Sequence, residues 1–275
     1  MNKTVLMAVL VSFLSLGLVV SNSYAARTAG GNGFMMLNSS DLIGASVKDS
    51  QGEFAGIVNE VMVDTEGHAF AVINHGDADL YGESGVNTPV PLQELRISRA
   101  EGRDTAVLKT DMEHLDLAPY LDPLKAGSRQ YEADIYEYYG IQPSWSQGSI
   151  ARKGGFQEFE SLDLVGAAVE DSCGKVAGIV NEVMVDTEGH AFAVINHGDA
   201  DLYGEEGAST PVPLQELQIS QAKGQDIAVL KIDTEHLDSA PYLDLFQTNN
   251  PQYEANIFEF YGIAPYWTGS NASSK

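Results

Sequence analysis

Apolar and polar residues alternate with a period of two along several short stretches of this chain, each closed by a turn rich in Gly, Asp or Asn. That rhythm predicts strands. Leu42–Val47 is a first short strand, with Gly44 where the backbone can bend, and Lys48–Gly52 is a turn rich in Asx-bonding residues and glycine. Gly56–Val63 sets Ile57, Val61 and Val63 as its apolar positions and runs into Asp64-Thr65-Glu66-Gly67, a hairpin signal. Ala69–Asn74 is the returning strand, with Phe70 and Val72 on one face and Ala71 and Ile73 on the other. A Gly- and Asp-rich loop, residues 75–85, leads to Thr88-Pro89-Val90-Pro91, an edge strand because two prolines cannot donate ladder hydrogen bonds. Leu92–Leu95 is one helical turn, and Arg96–Ser98 with Thr105–Lys109 form a last hairpin. Five or six short strands at this spacing indicate a small barrel or sandwich.

The period changes once. Over Gln130–Tyr139 the apolar residues Tyr131, Ile135 and Tyr138 or Tyr139 recur at helical spacing, and Gly140 sits where a glycine ends a helix. Glu132 and Asp134 in the first turn suit the helix dipole. The aromatic stripe is expected to dock on the strands.

The whole pattern then occurs again. Residues 41–145 align without a gap to residues 163–267 at an offset of 122, with 76 of 105 positions identical, and Ala55–Gly82 equals Ala177–Gly204 throughout. A unit of this length is a duplicated domain, too long for a solenoid repeat. The organisation expected is 1–25 a signal peptide, 26–38 a linker, 39–145 the first repeat, 146–160 a second linker, 161–267 the second repeat, and 268–275 a Ser- and Asn-containing tail. The fold class is all-β: two tandem small barrels, each followed by a short C-terminal helix. Near-identical tandem domains can swap elements, so a dimer built from one strand exchanged between copies is an open alternative, as is whether the two barrels pack together.

The leader reading rests on Lys3, the apolar stretch Val5–Val20 and the small residues around Tyr24. The stretch is shorter than the roughly 20 apolar residues of a membrane span, so cleavage and export to the periplasm or beyond are expected over an uncleaved anchor. Cys173 is the single cysteine and faces Gln51 in the other copy, so no internal disulfide forms and no shared site uses it. Thirty-nine acids against 15 bases give a net charge of −24. Such a surface repels phosphate backbones and anionic lipid, which argues against nucleic acid and the membrane surface as partners.

The leading Asp41-Leu42-Ile43-Gly44, the glycine turn, Gly56-Ile57-Val58 and Val61–Asp64 across a hairpin, and Val90-Pro91-Leu92 together resemble the PRC-barrel domain. The second copy carries Asp163-Leu164-Val165-Gly166, Gly178 to Asp186 and Val212-Pro213-Leu214 in the same order. The resemblance covers about 60 residues of each repeat. The ending Tyr139-Gly140-Ile141-x-Pro143-x-Trp145, repeated at Tyr261 to Trp267, is similar to the tail of exported bacterial members. The resemblance implies a small, highly twisted all-β barrel that binds or braces a partner and performs no chemistry of its own. With an exported chain, it implies a protein partner in the cell envelope.

The sharpest candidate chemistry is His75-x-Asp77-x-Asp79 and its copy His197-x-Asp199-x-Asp201, an imidazole and two carboxylates able to hold a divalent cation weakly, with Glu83 or Glu205 as a fourth ligand. The spacing matches no established metal loop, and a solvated Asx-rich loop is the plainer alternative. Asp64, Glu66, Asp186 and Glu188 could also touch a cation, although turn residues ordinarily hydrogen-bond their own backbone. Glu113-His114 with Asp116, and Glu235-His236 with Asp238, have the makings of an acid–base pair but no nucleophile beside them. No hydrolase elbow, zinc-protease or phosphate-loop motif is present, so a non-enzymatic protein without a cofactor is expected.

Overall fold

The computed structural model describes residues 35–76, 85–100, 103–142, 158–198, 207–222 and 225–263. Its spine is β3 (Phe54–Asp64), 11 residues long, with β4 (Ala69–His75) antiparallel along one edge. β5 (Val86–Pro91) lies outside β4 with its prolines, as expected of an edge strand. On the other edge of β3, β2 (Ser46–Lys48) covers only the first part and runs parallel to β7 (Arg103–Leu108), which closes a hairpin with β6 (Leu95–Ala100). The order is β5-β4-β3-β2-β7-β6. The second repeat builds the same order from β9 (Ala168–Glu170), β10 (Val176–Asp186), β11 (Ala191–His197), β12 (Ala208–Pro213), β13 (Leu217–Ala222) and β14 (Gln225–Leu230).

A bulge sets the curl. The register of β3 against β4 shifts between Val58 and Glu60, so Asn59 is the extra residue that bends the strand. It also keeps Val58, Val61 and Val63 all buried. Strict alternation would group Ile57 with Val61 and Val63, yet Ile57 is 44% exposed, because the inserted residue flips it to the outer face. Gly56 marks the tightest approach. Its φ is +148°, and a Cβ there would lie 2.3 Å from the carbonyl oxygen of Asn74.

The remaining edge of β3 is filled from the other repeat. β8 (Glu158–Glu160) pairs antiparallel with Met62–Asp64, and β1 (Met36–Asn38) pairs with Met184–Asp186 of β10. The two registers are equivalent at the offset of 122, so the exchange is reciprocal. Both segments read as linker ends from sequence, since three residues are too few to show a period. Here each one covers three residues of an otherwise open sheet edge.

Short helices complete each unit: α1 (Ser39–Leu42), α2 (Met112–Asp116) and α3 (Arg129–Tyr138) in the first, α4 (Thr234–Asp238) and α5 (Pro251–Phe260) in the second. The first strand reading therefore shifts, with Leu42 ending a helical turn that Asn38 caps. The helix expected over Gln130–Tyr139 is α3, and Tyr131, Ile135 and Tyr136 bury against Phe70 on the outer face of the sheet. One hydrophobic core runs through both repeats, joining Val63, Ala69 and Ala71 to Val185, Ala191 and Ala193. Among the described residues no helix is long and apolar enough to cross a membrane.

Candidate functional site

Where the two repeats meet, their β3–β4 and β10–β11 hairpins touch tip to tip. His68 and His190 form an isolated antiparallel bridge, flanked by Ala69 N donating to Gly189 O and Ala191 N donating to Gly67 O, both at 2.8 Å. An approximate two-fold axis therefore passes between the two histidines, and each contributes to a buried cluster.

Asp64 ends β3 and folds its own turn. Its Oδ1 accepts from Glu66 N at 2.7 Å and from His68 N at 2.9 Å. The expectation that turn acids bond their own backbone holds for this oxygen. The other oxygen, Oδ2, lies 2.7 Å from His68 Nδ1, and Glu132 Oε1 from α3 is 3.5 Å from the same nitrogen. Asp64 and Glu132 are fully buried and His68 is 6% exposed. The second repeat repeats this with Asp186, His190 and Glu254: Asp186 Oδ2 is 2.8 Å and Glu254 Oε1 3.7 Å from His190 Nδ1. Tyr136 meets His68 edge-on, and Phe258 does the same to His190.

Two carboxyls and one imidazole out of water cannot all carry charge cheaply. Burial alone would raise the Asp64 and Asp186 carboxyls, but the adjacent His68 and His190, with the turn amides, outweigh it and hold both below the usual carboxylate range. Glu254 goes the other way. Burial first, then the hydrogen bond to Asp186 and the charges of Asp186 and Glu188, push it up to about 11. At neutral pH that favours its uncharged form. Each cluster is thus an imidazole–carboxylate pair with a second buried carboxyl beside it.

The copies differ at the rim. Arg129 forms an ion pair with Glu66, whereas Pro251 stands at the equivalent place in the second repeat. Glu188 therefore lacks that guanidinium, and burial followed by the charge of Asp186 raises its carboxyl.

The sites singled out from sequence fare differently. His75 is buried at the end of β4 with both ring nitrogens engaged, Nδ1 at 3.2 Å from Asp116 Oδ1 and Nε2 at 2.8 Å from Thr88 Oγ1. His197 does the same with Asp238 at 3.0 Å and Thr210 at 2.8 Å. Burial lowers the pKa of His75 despite Asp116. These histidines tie the end of a strand to the short helix α2 or α4. Asp77, Asp79, Asp199 and Asp201, with Glu83 and Glu205, lie outside the described residues. The Glu113-His114-Asp116 group is taken apart: Asp116 serves His75, and the His114 ring packs on Tyr138 with centroids 4.5 Å apart. Sequence reasoning missed Glu132 and Glu254 as site residues. Their signal was an acid three and four positions before buried Ile135 and Tyr136, and so on the apolar face of α3.

Residues 35–114 match the family model of the PRC-barrel domain, a span running from the residue before β1 to α2. A search of the curated proteins finds no match. The matched unit recurs at an offset of 122 with the same strand order and register, so the second repeat carries the fold of the span that matches the PRC-barrel domain.

Proposed function

We propose that this chain is a non-enzymatic, exported binding module that presents one recognition face twice to a protein partner of the cell envelope. The observation that carries the reading is the reciprocal exchange of β1 and β8, which locks two equivalent barrels into one body at a fixed spacing. A rigid bivalent object gains avidity for a repeated or dimeric partner without any new contact.

The face is supported by apolar side chains left in water at matched places. Leu124 and Phe246 are 96% and 91% exposed, and Tyr120 and Tyr242 beside them are exposed as well. Tyr242, Leu243, Leu245, Phe246 and Tyr253 line a shallow open groove. From residue 121 to 130 only three of ten positions match the other repeat, fewer than in any other block of ten in the duplication, yet a large apolar residue stands at 124 and 246 in both. Solvent-exposed aromatic and aliphatic groups of this kind mark interaction surfaces. The sequence-level absence of a nucleophile motif and the dismantled Glu113–His114–Asp116 group support the non-enzymatic part.

The experiment compares the wild type with Leu124→Ser, Phe246→Ser and the double variant in capture from envelope extract. The expected result is one protein retained by the wild type and weakened at least about tenfold by either single change. Retention of half or more of it by a single variant overturns the bivalent reading, and so does capture indifferent to all three changes.

A further inference from the structure

We infer that each Asp–His–Glu cluster is a binding site for one divalent cation of the zinc class, giving two sites per chain astride the two-fold axis. The donor set points there first. In each repeat one imidazole nitrogen and two carboxylate oxygens lie within 4.8 Å of one another. One nitrogen with two oxygens suits Zn²⁺, Co²⁺ or Mn²⁺ and leaves a further position on the ion open. It does not suit Ca²⁺, which takes six to eight oxygens, or Mg²⁺, which keeps most of its water.

The second observation is independent of donor type. Both oxygens of Glu254 are buried and receive no N–H or O–H donor among the described residues. What faces them is the Asp186 carboxyl and His190 Nδ1, the latter 3.7 Å away and beyond hydrogen-bond length. An acid placed in the core against another acid is costly, and a cation between the two removes the cost for both. In the first repeat Glu132 Oε1 lies 3.5 Å from His68 Nδ1.

The support around the ligands is that of a built site. The free oxygen of each aspartate is fixed by two turn amides, so the oxygen turned to the histidine cannot swing away. The His190 side chain is 20% exposed against 7% for His68, which makes the second repeat the more accessible site. A net charge of −24 draws cations to the surface.

The test is calorimetry of the chelator-treated full chain with Zn²⁺, with Co²⁺ as a spectroscopic probe of the ligand field. Expected are two ions per chain and a rise in melting temperature. Glu254→Gln lowers the count to one, and Glu132→Gln with Glu254→Gln weakens both sites at least ~100-fold. Glutamine has the shape of glutamate without its charge, so these variants keep the ion-free fold and melt within a few degrees of the wild type. Asp77→Ala with Asp199→Ala leaves binding unchanged. The inference is overturned by no binding at tens of micromolar Zn²⁺ and Co²⁺, by binding that survives the double glutamine change, or by binding abolished with Asp77 and Asp199. Should a glutamine variant unfold, a wild-type Co²⁺ spectrum without imidazole ligation overturns it equally.

Discussion

Glu60 on β3 hydrogen-bonds Glu160 on β8, a carboxyl pair formed across the exchanged strand by two residues 100 positions apart. The equivalent contact in the second repeat is of another kind: Asn38 on β1 donates its side-chain amide to Glu182 on β10. One junction of the exchange therefore holds an acid against an acid, and the other an amide against an acid. Burial, then the charge and hydrogen bond of Glu160, push Glu60 up to about 7.

That asymmetry makes the first junction the more sensitive to pH, because burial raises Glu182 as well but the hydrogen bond from Asn38 opposes it. Glu60 holds a proton in the folded chain up to about pH 7, whereas in the unfolded chain it loses it near 4.5. Between these values the folded state binds more protons, so stability falls as pH rises, and the loss is complete above about 7. Glu60 is only partly buried, so screening reduces the effect to about 1–2 kcal/mol. Glu160→Asn copies the second junction and should flatten the slope. Urea unfolding at pH 5 and pH 8 measures it, and an unchanged difference between the two pH values in the variant refutes the assignment.

Exchange also predicts where a mutation is felt. Met36 precedes the first barrel in sequence but packs in the second, with Met184, Phe192 and Phe258. Met36→Ala should cost about 2–3 kcal/mol. Its signature is local: amide exchange should speed up in Met184–Val194 and stay unchanged in the matching Met62–Val72. Acceleration in the first repeat instead would contradict reciprocal exchange.

Much of the strand order was legible because period-two alternation and turn residues report on neighbours along the chain. The β3–β4 hairpin, the proline edge strand, the turn at Leu92 and the helix α3 all came through. What stayed hidden depends on other parts of the chain. The bulge at Asn59 leaves no local mark, so Ile57 read as core. β1 and β8 exist only because an edge of the other repeat waits for them. Asp64 was visible as a turn residue, but its partner Glu132 is 68 positions away and looked like an ordinary acid at a helix start. Duplication did not help there, since nearly everything around both residues is copied too.

The approach of β3 to β4 gives a backbone prediction. Gly56→Ala would put a methyl 2.3 Å from the Asn74 carbonyl oxygen, in contact with main chain that cannot yield by a rotamer change. The φ of +148° adds strain for any side chain. A loss of about 2–4 kcal/mol is expected. Gly52→Ala is the control: its φ is +87°, but nothing lies within 4 Å of the added carbon. It should cost about 1 kcal/mol, seen by thermal melts followed by circular dichroism. Equal losses at both positions would mean the strands separate more readily than the structure implies.

Asp64→Asn separates the two duties of that carboxylate. The amide oxygen still accepts from the turn amides of Glu66 and His68, so the hairpin keeps its shape. What is lost is the negative charge facing His68 Nδ1 at 2.7 Å, in a place with no water to replace it. Removing one partner of a buried pair costs about 3–5 kcal/mol, and this pair lies on the contact between repeats. The folded pKa of Asp64 is held below its unfolded value near 3.8, so its contribution is fully present above that value and is lost as pH falls through the folded one. Wild type and variant should therefore differ most at neutral pH and converge in acid. Denaturant unfolding from pH 7 down to pH 2 measures the convergence, and a gap that stays constant to the lowest pH would place the loss in packing and not in charge.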